Sequence, residues 1–236
     1  MPPRIAYSSE DAVSSIKDNE AIWTHNMAAT PTVLLKGLAQ HALSCRNLTL
    51  VQLHTEGEGA ALMVAPQLRG HLRCRCYFVS AVTRKAVQSG DADYVPILLA
   101  EVPKLIRSGE QRIDTAIIQV SPPDKHGNCS LGVSVEATHA ALEKAGKIIA
   151  HINPQMPRTH GDGLISYKSF HTVYEESAPI SCHAPAAQND VYNAIGQNVA
   201  ALVQDRDCIQ TGIGAIPDAV LACLGDRKDL GVHTEM

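Results

Sequence analysis

Short apolar runs rich in valine and isoleucine alternate with helix-forming stretches along the whole chain, and this alternation restricts the fold more than any other feature. A strand covered on both sides must be apolar on both, whereas the helix that covers it needs only one apolar stripe. Thr115 to Val120 is of the first kind, apolar apart from Thr115 and Gln119. Ala21 to Thr24, Leu48 to Leu53, Arg75 to Val79 and Lys147 to Ile152 are further strands by this reading. Between them, Ser8-Ser9-Glu10-Asp11 opens a helix with a capping hydroxyl and early acids, which puts Ala12, Val13 and Ile16 on one face. Thr30-Pro31 reads as a cap followed by proline at the first helical position, for a helix running to about His41. Helices are also expected near Ala81 to Gln88, near Ile97 to Arg107 with an interruption at Pro103, and over Glu136 to Ala145. The alternation predicts an α/β protein with an open, mostly parallel sheet and helices on both faces.

Composition removes several classes of function. Apolar residues make up 45% of the 236 and charged residues 19%, so a packed core is expected rather than disorder. Two Phe and one Trp leave that core to Val, Ile, Leu and Ala. A net charge of −4 without a Lys/Arg run argues against a nucleic-acid partner, and no apolar run reaches membrane-spanning length. The seven cysteines lie at 45, 74, 76, 129, 182, 208 and 223, with no Cys-x-x-Cys pair and no signal-peptide segment at the start. A reducing, cytoplasmic setting is the simple reading. Cys74-x-Cys76 could hold a soft metal, but strand alternation accounts for the spacing as well, and no metal is expected.

The periodicity lapses from Asn153 to about Ala187, in a segment containing Met156-Pro157-Arg158-Thr159 and His160-Gly161-Asp162-Gly163. Helical pattern resumes at Asn189 to Val203, which places a domain boundary near 185. Residues 1–185 form one α/β domain in this reading, and residues 186–236 the beginning of another, too short to close an α/β core alone.

The second segment carries the densest signal. In the stretch that starts at Cys208 a short apolar strand meets the glycine turn Gly212-Ile213-Gly214, a helix opens at Pro217, and a second strand ends at Glu235 in Gly231-Val232-His233-Thr234-Glu235-Met236. Glycine lets the backbone turn sharply and a ligand approach closely, and the free N–H groups of a helix start favour anionic oxygens. Ligands gather at the carboxyl ends of parallel strands, so the turn and Glu235 belong on one edge, on adjacent strands. Three readings fit. The turn could hold a pyrophosphate with Glu235 on a ribose, although Pro217 stands where a dinucleotide site has its third Gly or Ala. Glu235 could be a nucleophile toward an acyl group, the turn's N–H groups stabilising the oxyanion. Or the feature is a tight turn beside a solvated acid.

Several stretches, in consistent order over nearly the whole chain, narrow the choice. They are Ala29-Thr30-Pro31, Val120-Ser121-Pro122-Pro123-Asp124-Lys125-His126-Gly127, Asn153 to Asp162, Gly212-Ile213-Gly214-Ala215-Ile216-Pro217 and His233-Thr234-Glu235-Met236. With them the sequence resembles the acetyl-CoA hydrolase/transferase family, which includes 4-hydroxybutyrate and butyrate:acetate CoA-transferases. The resemblance implies two related CoA-transferase-like α/β domains, the second cut short at Met236, so that this polypeptide alone would be inactive or nearly so. It implies Glu235 as catalytic nucleophile, and coenzyme A contacts at Gly212, Ile213, Gly214, Ala215 and Ile216. The substrates would be an acyl-CoA and a short-chain carboxylate, exchanged through a glutamyl-CoA thioester, or water in a hydrolase; a full-length homo-oligomer is expected. The alternatives are a dinucleotide-binding protein and a non-catalytic remnant that binds CoA. The Gln210 amide is a further candidate oxyanion donor. His233 reads as structural, His126 and His160 as pocket-lining or solvated, Arg158 as an anion contact or a loop anchor, and the cysteines as small buried apolar groups.

Overall fold

A computed structural model describes residues 2–182, 184 and 187–234. The chain divides into two compact units, Met1–Ser181 and Cys182–Met236. Strands of the first are β1 (Arg4–Ile5), β2 (Ala21–Thr24), β3 (Leu48–Gln52), β4 (Leu72–Cys76), β5 (Asp93–Tyr94), β6 (Thr115–Val120), β7 (Asn128–Ser130), β8 (Lys147–Ile152), β9 (Leu164–Ser166) and β10 (Thr172–Glu175). Its helices are α1 (Ser9–Val13), α2 (Thr32–Ala42), α3 (Gly57–Met63), α4 (Arg84–Gln88), α5 (Val102–Ser108) and α6 (Thr138–Lys144). Eight strands form one sheet in the order β1-β10-β8-β6-β2-β3-β4-β5, every neighbouring pair parallel. β7 and β9 pair antiparallel beside it.

All six residues of β6 are buried, as its composition requires of a central parallel strand. Side chains alternate between two cores. Ile22, Leu50, Ile117 and Ile149 pack with Val13, Leu34, Leu38 and Met63 of α1 to α3. Trp23, Val51 and Ala116 meet Val102, Ile106, Ala140 and Ala141 of α5 and α6 on the opposite face. The Trp23 indole donates to Thr138 Oγ1 at 3.2 Å, so the largest buried side chain leaves no polar atom stranded. The sheet is thus covered on both faces, as the alternation predicts.

Ser8 caps α1, its hydroxyl accepting from the Asp11 N–H, in agreement with the sequence. Elsewhere boundaries move for local reasons. Thr30 does not cap α2: its hydroxyl donates to Met27 O at 2.7 Å and accepts from Glu56 N at 3.1 Å, tying the β2 and β3 exits together, while α2 begins after Pro31. Pro103 does not interrupt a helix but lies in the first turn of α5, where a missing N–H costs nothing. β4 starts three residues before the expected Arg75, because Leu72, Cys74 and Cys76 form the inward row. Glu136 sits at φ +30°, outside α6. The stretch from Asn153, expected to be irregular, contains β9 and also β10, which is hydrogen-bonded between β1 and β8.

The second unit contains α7 (Asp190–Ala200), β11 (Cys208–Ile209), α8 (Ala215–Ala222) and β12 (Gly231–Val232). The Asn189 side chain caps α7 by accepting from Tyr192 N at 2.9 Å. At its other end the Arg227 guanidinium donates to Ala200 O and Val203 O, satisfying carbonyls the helix leaves open. Gly196 lets α7 approach α8: a Cβ there would lie 2.7 Å from Ala219 O. On and just after α8, Leu221 is exposed, Val220 half-buried and Leu224 buried. No helix among the described residues is long and apolar enough to cross a membrane.

Candidate active site

β11 and β12 are parallel neighbours, with Cys208 opposite Gly231 and Ile209 opposite Val232. Both therefore deliver the chain to the same edge. β11 continues through Gln210 and Thr211 into Gly212-Ile213-Gly214; β12 continues through His233 and Thr234 toward Glu235. The two exits are laced together. His233 N donates to Ile209 O at 3.0 Å, the Thr234 hydroxyl donates to Thr211 O at 3.0 Å, and the Thr211 N–H donates back to Thr234 Oγ1 at 3.3 Å. Thr234 thus holds the exit of β12 against the residue that enters the glycine turn. An open cleft of about 500 Å³ is lined by Cys208, Ile209, Gln210, His233 and Thr234. The sequence alone does not assign Thr234 this role, because the partner of its hydroxyl stands 23 residues earlier in the chain.

Gly212, Ile213 and Gly214 form the turn, while Ala215 and Ile216 already belong to α8, which starts two residues before Pro217. Gly214 adopts φ +120°, a conformation side chains rarely reach, and no side chain caps the helix behind it. Pro217 falls in the first turn of α8, where it removes no intrahelical bond. The Ile213 side chain is largely exposed. Glu235 and Met236 lie outside the described residues.

The first unit presents its own polar carboxyl edge. His25, buried at the end of β2, donates through Nε2 to Ser134 O at 2.7 Å, and its Nδ1 lies 3.4 Å from Gln119 N. Burial holds this imidazole below its usual range, against the opposing pull of the Glu136 carboxylate and the Ser134 and Gln119 carbonyls. The Asn26 side chain accepts from the N–H groups of Leu53 and His54, fixing the β3 exit. The ring of His54 stacks on Phe78 with centroids 5.2 Å apart.

Arg158 proves to be a loop anchor, pairing with Asp124 at 2.7 Å and donating to Asn128 O at 3.0 Å. Asp124 is held low, first by the Asn128 N–H and then, against its partial burial, by the His126 N–H and the Arg158 charge. His126 and His160 are solvent-exposed. Cys45, Cys74, Cys76 and Cys129 are buried, and desolvation pushes the thiols of Cys76 and Cys129 up to about 11 and about 12, so neither is poised as a thiolate. Cys74 and Cys76 alternate on β4 inside the core. Among the described residues no group of three or more His, Cys, Asp or Glu is arranged to hold a metal ion.

Comparison with known proteins gives a consistent picture. Residues 3–184 match the family model described as the acetyl-CoA hydrolase/transferase N-terminal domain. The chain is 41% identical to the succinyl-CoA:acetate/propanoyl-CoA:succinate CoA transferase of Fasciola hepatica, over 99% of this chain and 49% of that protein. It is 39% identical to the 4-hydroxybutyrate coenzyme A transferase of Clostridium kluyveri, over 97% of this chain and 53% of that one. Among solved structures, RipA from Yersinia pestis superposes with a TM-score of 0.91 at 31% identity, covering 98% of this chain and 56% of RipA. A 4-hydroxybutyrate CoA-transferase from Porphyromonas gingivalis gives 0.82 at 34%, covering 99% of this chain and 54% of that chain. The chain spans about half the length of the curated relatives it matches.

Proposed function

The chain belongs to the acetyl-CoA hydrolase/transferase family, and from that membership we propose that its full-length protein moves CoA between an acyl-CoA and a short-chain carboxylate, with Glu235 as nucleophile. The observation that carries this reading is the laced pair of strand exits, which ties the residue before Glu235 to the residue before the glycine turn. An acid beside a turn of backbone N–H groups is the pairing that acyl transfer through a carboxylate needs. The Glu235 carboxylate attacks the thioester carbonyl, forming a mixed anhydride and releasing CoA thiolate. The thiolate attacks the glutamyl carbonyl of the anhydride, leaving a glutamyl-CoA thioester and a free carboxylate. An acceptor carboxylate then reverses both steps and departs as the new acyl-CoA; water at the thioester would give net hydrolysis.

Each tetrahedral intermediate carries an oxyanion, and one well-placed donor is worth roughly 3–4 kcal/mol. Backbone N–H groups of residues 212–216 are the proposed donors and CoA contacts, and the amide of Gln210, which lines the cleft, is a further candidate donor. No step of the transfer between carboxylates calls for a proton shuttle, so for transfer His233 keeps a structural role through its backbone bond to Ile209 O. The names of the relatives, succinyl-CoA:acetate and 4-hydroxybutyrate transferases, support short acyl groups and small carboxylates. We further propose residues 1–185 as the first CoA-transferase domain and 186–236 as the opening of a second, since the relatives extend over about twice this length. Exposed Val191, Leu202, Ile213 and Val232 on the second unit support that continuation.

Intact mass after incubation with acetyl-CoA tests the reading, on this chain and on the full-length protein, with Glu235→Gln as control. A CoA adduct on the wild type alone is expected from the full-length form. No adduct there, with turnover retained in Glu235→Gln, refutes Glu235 as nucleophile.

A further inference from the structure

Residues 176–181, the last stretch of the first unit, are exposed or half-buried, yet they are pinned at several points. The Glu176 N–H donates to Ile152 O at 3.2 Å, and its carbonyl accepts from His151 Nε2 at 2.8 Å. Ser177 Oγ meets Gln155 Nε2 at 3.0 Å. Ala178 is held at both backbone groups by one side chain, its N–H donating to Asn153 Oδ1 at 3.2 Å and its carbonyl accepting from Asn153 Nδ2 at 2.8 Å. Ser181 then lies against Gly57 at the start of α3, where a Cβ would sit 3.2 Å from the serine Oγ. The segment therefore crosses from the end of β10, over the end of β8, to the start of α3.

His151 and Asn153 are fully buried, and a buried imidazole and amide cost stability unless their hydrogen bonds are made. Here most of those bonds go to the backbone of one exposed segment. We infer that His151 and Asn153 form a latch that holds residues 176–181 across the carboxyl edge of the sheet and fixes the point from which the chain leaves for its second unit. The Nε2 bond is made by either form of the ring, but a second proton on Nδ1 would place a buried charge and an N–H with no partner among the described residues, so the closed latch favours neutral His151. Its neighbours across the sheet are uncharged Gln119 on β6 and Tyr174 on β10. The Tyr174 hydroxyl donates to the Glu176 carboxylate at 2.8 Å. Burial holds His151 below the ordinary imidazole range, and the Glu176 carbonyl and charge offset this in part. Protonation as pH falls below about 6.5 therefore favours the open latch.

Hydrogen exchange read by mass spectrometry tests this without assuming any enzymatic activity. His151→Leu removes the donor, while His151→Gln keeps an amide N–H near the position of Nε2 and cannot titrate. At pH 7 the amides of residues 176–178 are expected to exchange about five- to tenfold faster in His151→Leu, with β6 amides unchanged and protection recovered in His151→Gln. Between pH 7 and 5.5, after correction for intrinsic rates, the wild-type segment should lose protection and His151→Gln should not. Unchanged exchange at 176–178 in His151→Leu overturns the latch. So does a rise shared equally with β6 that His151→Gln fails to reverse, which would make His151 a general core residue.

Discussion

Gly37 sets two effects of opposite sign against each other, and the structure decides between them. It lies in the middle of α2, where replacing glycine by alanine normally stabilises a helix by about 0.5–1 kcal/mol. Propensity alone therefore predicts a gain. But α1 crosses α2 at this residue. A Cβ on Gly37 would lie 2.5 Å from Ser9 C, 2.5 Å from Ser9 O and 2.8 Å from Glu10 N. These are backbone atoms in the first turn of α1, not the tips of flexible side chains. That turn is held by the Ser8 cap and by Arg4 on Asp11 at 2.8 Å, so it cannot yield by rotating one bond. Relief requires α1 to move off α2 and to pull Ala12, Val13 and Ile16 from the core they share with Leu34 and Leu38.

Overpacking of a well-packed interface costs about 1–3 kcal/mol, and rigid backbone on the far side puts this site at the upper end. Subtracting the propensity gain leaves a net destabilisation of about 1–2 kcal/mol for Gly37→Ala. In a chain of this size that is a fall in Tm of roughly 2–8 °C. Urea unfolding followed by Trp23 fluorescence is the assay, since Trp23 is buried in the first unit and is the only tryptophan in the chain. The midpoint should fall while the slope is unchanged. A midpoint equal to or above wild type refutes the reasoning, because it would mean that α1 yields at little cost.

Three other predictions rest on different parts of the first unit and on the thiols. Glu20 accepts from Lys147 Nζ and Thr115 Oγ1, both at 2.7 Å, so Glu20→Ala strands the buried Thr115 hydroxyl and leaves the Lys147 ammonium with Ser15 O but no carboxylate, and should cost about 1–3 kcal/mol in the same assay. Stability should decline in two stages with acid. The first begins below about pH 6.5, because His25 and His151 are held low by burial and the unfolded chain takes up protons that the folded one resists. The second begins below about pH 4, because Asp114, raised by burial but lowered further by Arg112 and the Ala21 N–H, keeps a net depressed value in the fold. Urea midpoints measured from pH 7.5 to 3.5 check both, and a flat profile down to pH 4 would contradict the histidine stage. Exposed Cys182 and Cys208 should alkylate rapidly in the native chain, while Cys45, Cys74, Cys76 and Cys129 react only on unfolding; peptide mapping after brief iodoacetamide treatment distinguishes the sets.

The parts of the fold legible in the sequence are those whose environment is symmetrical. β2, β6 and β8 are buried on both faces, need apolar residues at nearly every position, and so begin and end where the apolar runs do. Four-residue β10 has no such pattern: Thr172 and Val173 are buried, Tyr174 and Glu175 are not, and it is a strand because β8 on one side and β1 on the other supply its hydrogen bonds. β4 begins before its apolar run for a related reason, since cysteine is the inward apolar residue at Cys74 and Cys76. The Thr30-Pro31 signature failed because a nonlocal partner, the Glu56 N–H, claims the hydroxyl that would otherwise cap α2.

The same division between local and nonlocal cause applies at the candidate site. Gly214 was readable because glycine suits a turn at φ +120° that leads straight into a helix. That the two strand exits would be adjacent followed from the parallel rule, and β11 and β12 are indeed neighbours. Thr234 was not readable, because its role depends on where Thr211 stands, 23 residues earlier. Its hydroxyl both gives to and takes from the Thr211 backbone, which no alanine or valine could reproduce. For the proposed acyl transfer, a carboxylate attacking within reach of fixed N–H groups would need its strand exit held in register with the turn, and Thr234 ties the exit of β12 to Thr211 with two hydrogen bonds.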